Sequence, residues 1–371
     1  MRNTLVVLAA VLLSCSLNAV AQTEVLYVAT PQTNQPWLLS TYNVDPSTAV
    51  ATPVGSPVNV ESSNIIPLTV GSLHVLYVWT HTDVWVYPTD ANGVPDSTPS
   101  QHLAFGLSIP LTSFVVDPKG KFAYAAVTWV DVNQQHRAAI YLYTVDSNNG
   151  NLADTPKLAS TYGPDPYVGL SGFSFGASGA RLFASFVDSA PFTCNYGYDE
   201  YPVNLKTGAL GSLADMVQVD TECGEIDNVA ISDQLTGYSR DCCGTGSGII
   251  RLRLISTGQQ INCDHTMLQF CGDNGPIYFD PNSQNLFFND NVLNFLFVSR
   301  INFTSSQLIP TAQLPATYSL ALKFSPDDQL FYTSQPTGVN IYAFQANTGK
   351  VGATTALAEA SQVAIVATTL P

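Results

Sequence analysis

Trp129, Asp131, His136 and Arg137 fall within nine residues of one another. An imidazole beside a guanidinium can polarise a carbonyl or hold a carboxylate. A nearby indole offers a face for stacking. Arg240 directly follows a Tyr-containing strand pattern and joins His136 and Arg137 as a catalytic candidate. A second group is acidic: Asp188, Asp199 and Glu200, then Asp220, Glu222, Glu225 and Asp227. Hard cations take carboxylate and carbonyl oxygens, so these residues form a candidate structural Ca²⁺ site. The plainer reading of the same residues is an acidic rim. Trp129, Asp131, Asp188, Glu225 and Asp227 are the ligand-binding candidates. Asp264-His265, between Cys263 and Cys271, reads as the edge of an outer strand. No Gly-x-Ser-x-Gly elbow, P-loop or His-Glu-x-x-His motif occurs. No cofactor is implied.

The elements that must position these side chains are strands. Residues 114–152, FVVDPKGKFAYAAVTWVDVNQQHRAAIYLYTVDSNNGNL, read as strand, tight turn, strand, loop, strand, tight turn and strand. Asp117-Pro118-Lys119-Gly120 has turn chemistry: Asp accepts from its own backbone, Pro presets φ, and Gly tolerates φ > 0. Phe122, Tyr124 and Ala126 alternate with Lys121, Ala123 and Ala125, the period of a strand. Weaker copies fill the chain. Their second-strand aromatics are Tyr27, Tyr77, Tyr124, Phe183, Tyr238, Phe287 and Phe331, spaced 44 to 59 residues apart. That period suits propeller blades of four strands. The Pro-bearing turn recurs at Asp280-Pro281 and Ser325-Pro326, and the last turn at Asn92-Gly93, Thr207-Gly208, Thr257-Gly258 and Thr348-Gly349.

The mature chain opens on a second strand, Val25-Leu26-Tyr27-Val28, and ends on an orphan strand, Gln362–Ala367. If the orphan serves as the inner strand of the first blade, no sheet edge is left open. The expected fold is all-β: a seven-bladed β-propeller of four-stranded antiparallel blades, closed by the C-terminal strand joining the N-terminal blade. The loops Val127–Ala138, Val187–Glu200 and Asp241–Gly248 are expected to be long and to share the functional face with the linkers between blades.

Residues 1–21 read as a signal peptide. Arg2 is the positive n-region, Leu5–Leu13 a short apolar run, and Ala19-Val20-Ala21 a small-x-small cleavage site. Leu12-Leu13-Ser14-Cys15 also fits a lipobox that would anchor Cys15 through lipid, so soluble export and an outer-surface lipoprotein both stand. Residues 22–371 are then one propeller domain, secreted or periplasmic. No run in the mature chain is apolar and long enough to cross a membrane. Beyond Cys15, six cysteines remain: Cys194, Cys223, Cys242, Cys243, Cys263 and Cys271. An even number in an exported chain reads as disulfides. Zinc is the alternative, without any Cys-x-x-Cys pair to support it. The net charge of −15 disfavours nucleic acid and anionic lipid as partners.

The pattern VDPKGKFAYAA…IYLYTVDSNNGNL resembles the blade repeat of the seven-bladed lactonase-like propellers. That group includes 6-phosphogluconolactonases, carboxymuconate cyclases and surface YVTN-repeat proteins. The resemblance covers Thr23 to Pro371 and is clearest at Phe114–Leu152 and Leu320–Val351. Lactonase members carry Gly-Pro-Arg-His and His-x-His motifs between blades. Here the corresponding linker reads Cys223-Gly224-Glu225-Ile226-Asp227-Asn228, so no catalytic residue is carried over. The expected function is a monomeric exported propeller binding a small molecule or a protein on its loop face. The alternative is a divergent lactonase-like hydrolase or isomerase.

Overall fold

The computed structural model describes residues 23–33, 35–105, 110–165, 168–176, 178–190, 193–213, 215–219, 226–232, 234–242, 247–254, 260–261, 274–290, 294–315, 321–335, 338–357 and 364–370. These residues contain strands and turns and no helix. The strands form seven four-stranded sheets, and every pairing is antiparallel. In order from the inner edge, sheet 1 is Ala364–Leu370, Thr23–Gln32, Gln35–Asp45 and Val50–Val60; sheet 2 is Asn64–Val70, Leu73–Trp79, Asp83–Pro88 and Gln101–Ala104. Sheet 3 is Leu111–Val116, Phe122–Val130, His136–Thr144 and Lys157–Asp165; sheet 4 is Val168–Phe175, Arg181–Ala190, Thr193–Pro202 and Asp215–Val219. Sheet 5 is Ile226–Ile231, Leu235–Cys242, Ser247–Leu254 and Gln260–Ile261; sheet 6 is Asn274–Phe279, Asn285–Asp290, Phe295–Asn302 and Gln307–Pro315. Sheet 7 is Ala321–Phe324, Leu330–Gln335, Gly338–Gln345 and Lys350–Leu357.

Sheet 1 is the exception to chain order. Its inner strand comes from the C-terminus, in register Thr23↔Leu370 through Ala29↔Ala364. The innermost strands touch one another around an axis: that of sheet 7 meets that of sheet 1, which meets sheet 2, then sheet 3, then sheet 4, and sheet 5 meets sheet 6. Side chains of a strand alternate between its two faces, so each sheet packs on both neighbours. The apolar clusters follow that rule. Leu26 and Val28 pack with Leu330, Tyr332, Val339 and Ile341 between sheets 1 and 7. Phe287, Leu322, Phe331 and Phe344 pack between sheets 6 and 7. Second strands are covered on both faces, which is why Leu330–Gln335 is buried along its whole length.

The aromatic that marks the repeat ties sheets 1, 2 and 3 each to the next. Tyr27, Tyr77 and Tyr124 donate their hydroxyls to the carbonyls of Gly93, Gly150 and Gly208, at 2.7, 2.7 and 2.6 Å. Each acceptor is the last-turn glycine of the following sheet. Gly150 has φ +76°, and a Cβ there would lie 2.8 Å from the Val75 methyls, so only glycine fits both the turn and the approach. In sheet 6, where Phe287 stands at that position, Asn285 Nδ2 donates to Ala346 O at 2.7 Å. At the last seam Tyr332 donates to Glu24 instead. The first turn, by contrast, is closed within its own sheet. Asp117 Oδ2 accepts from Lys121 N and Phe122 N, and Asp280 Oδ1 from Gln284 N and Asn285 N.

One expectation is corrected here. Val127–Ala138 and Val187–Glu200 are not long loops: strand pairing continues to Val130↔His136 and to Ala190↔Thr193. The β-formers Thr128-Trp129-Val130 and Tyr196–Tyr198 carry the ladders on, leaving Asp131–Gln135 as the tip of the first hairpin. Asp241 and Cys242 likewise extend a strand, pairing with Gly248 and Ser247. Arg240 lies within the second strand of sheet 5, opposite Ile226 and Ile249.

Candidate functional site

At the sheet 3 hairpin tip, Asp131 Oδ1 accepts from Asn133 N at 2.8 Å and Gln135 N at 3.0 Å. Its Oδ2 accepts from Arg137 Nε at 2.7 Å. Arg137 and these backbone donors hold the Asp131 carboxyl below the usual range. The tip therefore uses both charges to close itself, with Gln134 at φ +60° in the turn. Trp129 packs against the apolar cluster between sheets 2 and 3. His136 is half-buried at the start of the third strand, paired through its backbone with Val130 and Asp165. Asp131 and Arg137 meet; His136 joins neither in a charge pair.

Two further ion pairs occur among the described residues, and the sequence did not point to them as pairs. His102 Nε2 lies 2.7 Å from Asp83 Oδ1, with the His102 ring stacked on Trp85 at 4.9 Å. The register explains this, since Trp85 is directly opposite His102. Arg181 Nη1 meets Glu200 Oε1 at 2.9 Å across the Arg181–Ala190 and Thr193–Pro202 pair. All three pairs are internal to one sheet. None joins groups across the axis.

The acidic group does not converge. Asp199 and Glu200 are successive residues of one strand and point to opposite faces. Glu200 is taken by Arg181. Asp199 is buried among tyrosines: Tyr201 donates to its Oδ2 at 3.4 Å, and the Tyr162 hydroxyl meets that of Tyr201. Burial pushes the Asp199 carboxyl up, against the hydrogen bonds from Tyr162 and Tyr201. Asp188 and Asp227 lie in strands of sheets 4 and 5, and Cys194 and Cys242 in strands of the same two sheets. Asp220, Glu222, Glu225, His265, Cys15, Cys223, Cys243, Cys263 and Cys271 lie outside the described residues.

The innermost strands carry two charged residues only, Asp227 and Lys323. Lys323 is the feature that sequence reasoning missed. Protein atoms crowd it, and this desolvation lowers its pKa below that of an ordinary lysine. Its side chain is nonetheless exposed. No ion pair to Lys323 occurs among the described residues. The signal was present in the repeat: Val115 and Tyr278 hold the same place before the first turn in sheets 3 and 6.

No family model matches the chain, and no curated protein matches it in sequence. Solved structures do match. The periplasmic gluconolactonase PpgL of Pseudomonas aeruginosa superposes with a TM-score of 0.63 at 12% identity, over 95% of this chain and 100% of that one. A Bacteroides fragilis protein proposed to be a 6-phosphogluconolactonase gives 0.62 at 12% identity, over 93% and 98%. Its proposed counterpart from Bacteroides uniformis gives 0.62 at 13%, over 93% and 99%. The chain has the lactonase-like propeller fold. At these identities the likeness speaks for the fold alone.

Proposed function

We propose that this chain is an exported propeller that binds a ligand and does not turn it over. The seven sheets are read as seven blades of one ring, closed by Ala364–Leu370 pairing with Thr23–Gln32. Export rests on the leader, residues 1–21. The reading is carried by one observation: among the described residues, every His or Arg that meets a carboxylate does so inside its own sheet, while the innermost strands offer a lysine with no ion pair. General acid–base catalysis needs paired groups converging on a common reacting atom. A ligand site needs a concave, mostly apolar wall with a few polar anchors, and Lys323 is the polar anchor this reading offers. Disulfides among the six mature cysteines belong to the same proposal; several reactive thiols in the unfolded, unreduced protein would remove them.

A divergent lactonase is the second reading, favoured by the likeness to the Pseudomonas gluconolactonase. Its candidates are His136, Arg137 and Arg240, of which Arg137 is paired with Asp131. Hydrolysis of glucono-δ-lactone by residues 22–371, followed at constant pH, separates the two. The binding reading expects the buffer rate. Saturable hydrolysis that is lost in Arg240→Ala establishes the lactonase.

A further inference from the structure

One seam breaks the repeat's own rule. In sheets 3 and 4 the first turn ends on Gly120 and Gly179, at φ +63° and +70°. In sheets 6 and 7 the same places hold Ser283 and Asp328, at φ +56° and +60°. That left-handed backbone favours glycine, and a conformation kept against such a preference asks for a function. Where sheet 3 meets sheet 4, a Cβ on Gly179 would lie 3.6 Å from Asp117 Oδ1. The equivalent pair where sheet 6 meets sheet 7 is Asp328 and Asp280, and there the two carboxyls are hydrogen-bonded to each other. Asp280 is 1% exposed and Asp328 4%. Asp280 Oδ1 accepts from Gln284 N at 2.7 Å and Asn285 N at 2.8 Å, and its Oδ2 from Asn285 Nδ2 at 2.8 Å. Asp328 has one N–H donor, Asn282 Nδ2, which reaches across the seam to Oδ2 at 2.6 Å; its buried Oδ1 has none.

Two carboxyls bond each other only while one keeps its proton. Asp280, with three N–H donors, is the carboxylate; Asp328, whose Oδ1 lacks a donor, is the acid that donates to it. Arg300, opposite Asn285 in its ladder, and Lys350, after Gly349, are exposed, and no ion pair among the described residues reaches either carboxyl. Asp327 is exposed and bonded within its own turn, where Oδ1 accepts from Ser325 Oγ and Gln329 N. Lys323 is opposite Tyr332, which packs toward sheet 1. The tyrosines of this seam, Tyr278 and Tyr342, are kept protonated by burial. We propose that Asp280 and Asp328 form a proton-operated latch between the first turns of sheets 6 and 7, closed while they share one proton and loosened when alkali removes it. The latch works the same way whether the propeller only binds its ligand or turns it over. Burial first, then the charge of Asp280, lift Asp328 from 3.8 to about 7. Its contribution to stability is therefore fully present below pH 3.8 and is lost as the pH rises through 7.

The test is amide hydrogen exchange on residues 22–371 from pH 6 to 8.5, corrected for the intrinsic rate at each pH. The amides read are Gln284 and Asn285 in sheet 6 and Gln329 and Leu330 in sheet 7. Lys121 and Phe122, held by Asp117 in a turn of the same design, are the internal control. Protection of the first four should fall above pH 7, by up to about tenfold per pH unit, while the control stays level. A loss of global stability, to which Glu24 contributes, would move the control equally. Asp328→Asn keeps a residue that tolerates the left-handed backbone and offers an N–H in place of the acid proton, so it should remove the pH dependence. Asp328→Gly restores the glycine of sheets 3 and 4 and should remove it as well. Exchange at the four amides that follows the control at every pH, or a wild-type slope that survives in either variant, would overturn the latch. Protection restored at pH 8 by calcium chloride, and not by sodium chloride at equal ionic strength, would also overturn it, by showing that the pair holds a cation in place of the proton.

Discussion

Glu24→Gln should make the protein more stable at neutral and alkaline pH. Glu24 is 2% exposed at the seam between sheets 7 and 1, where Oε1 accepts from Tyr332 and Oε2 is buried without a partner. Burial, opposed by the Tyr332 bond and aided by Asp327, lifts its pKa from 4.5 to about 7. The folded state therefore binds the proton more tightly than the unfolded chain. Stability from this group is fully present below pH 4.5 and is lost as the pH rises through 7. At about 1.4 kcal/mol for each tenfold in acid strength, the loss above pH 7 is about 3 kcal/mol. For a domain of this length that is a melting shift of roughly 4 °C. Glutamine imitates the protonated acid and still accepts from Tyr332. The assay is a melting curve from pH 5 to 8 for wild type and variant. The variant should match or fall slightly below wild type at pH 5 and melt higher at pH 8. A variant that melts lower than wild type at pH 8 would refute the reasoning, because it would show that the seam needs the charged carboxylate.

Asp328 should act in the same direction. Burial first and the neighbouring Asp280 second push it up to about 7, and its Oδ1 is buried without a partner; Asp328→Asn should flatten the remaining slope of melting temperature between pH 5 and 8. Tyr77→Phe removes the bond to Gly150 O and should destabilise by about 1 kcal/mol in a denaturant titration. Gly150→Ala should cost more, about 2 kcal/mol or above, because it combines φ +76° with the Val75 clash; an effect below that of Tyr77→Phe would count against the latch. Deletion of residues 361–371 strips Thr23–Gln32 of its inner partner and should collapse the melting temperature or solubility. An unchanged melting curve would contradict closure.

The scaffold was legible because its repeat is written in residues with single jobs. Tyr27, Tyr77 and Tyr124, aligned as strand markers, turn out to be donors to Gly93, Gly150 and Gly208, themselves aligned as turn markers. Both halves of each latch were visible, and only their partnership needed the fold. The loops were overread because Asp131 and His136 sit among polar residues, while pairing depends on the partner strand as well as on composition. The pairs His102–Asp83 and Arg181–Glu200 depend on register across a hairpin, which spacing does not encode. Lys323 was passed over for a different reason: a single lysine in a short strand reads as an ordinary solvated side chain, although Val115 and Tyr278 hold its place in sheets 3 and 6.

The seam between sheets 7 and 1, where Glu24 meets Tyr332, exists only if the C-terminal strand closes the ring. Amide hydrogen exchange on the unmodified protein tests this most directly. The account predicts that amides of Ala364–Leu370 which pair with Thr23–Gln32 are protected to the same degree as those of Thr23–Gln32 itself and are lost together with them on global unfolding. Exchange of Ala364–Leu370 at the rate of an unstructured peptide, while Thr23–Gln32 stays protected through its bonds to Gln35–Asp45, would contradict it.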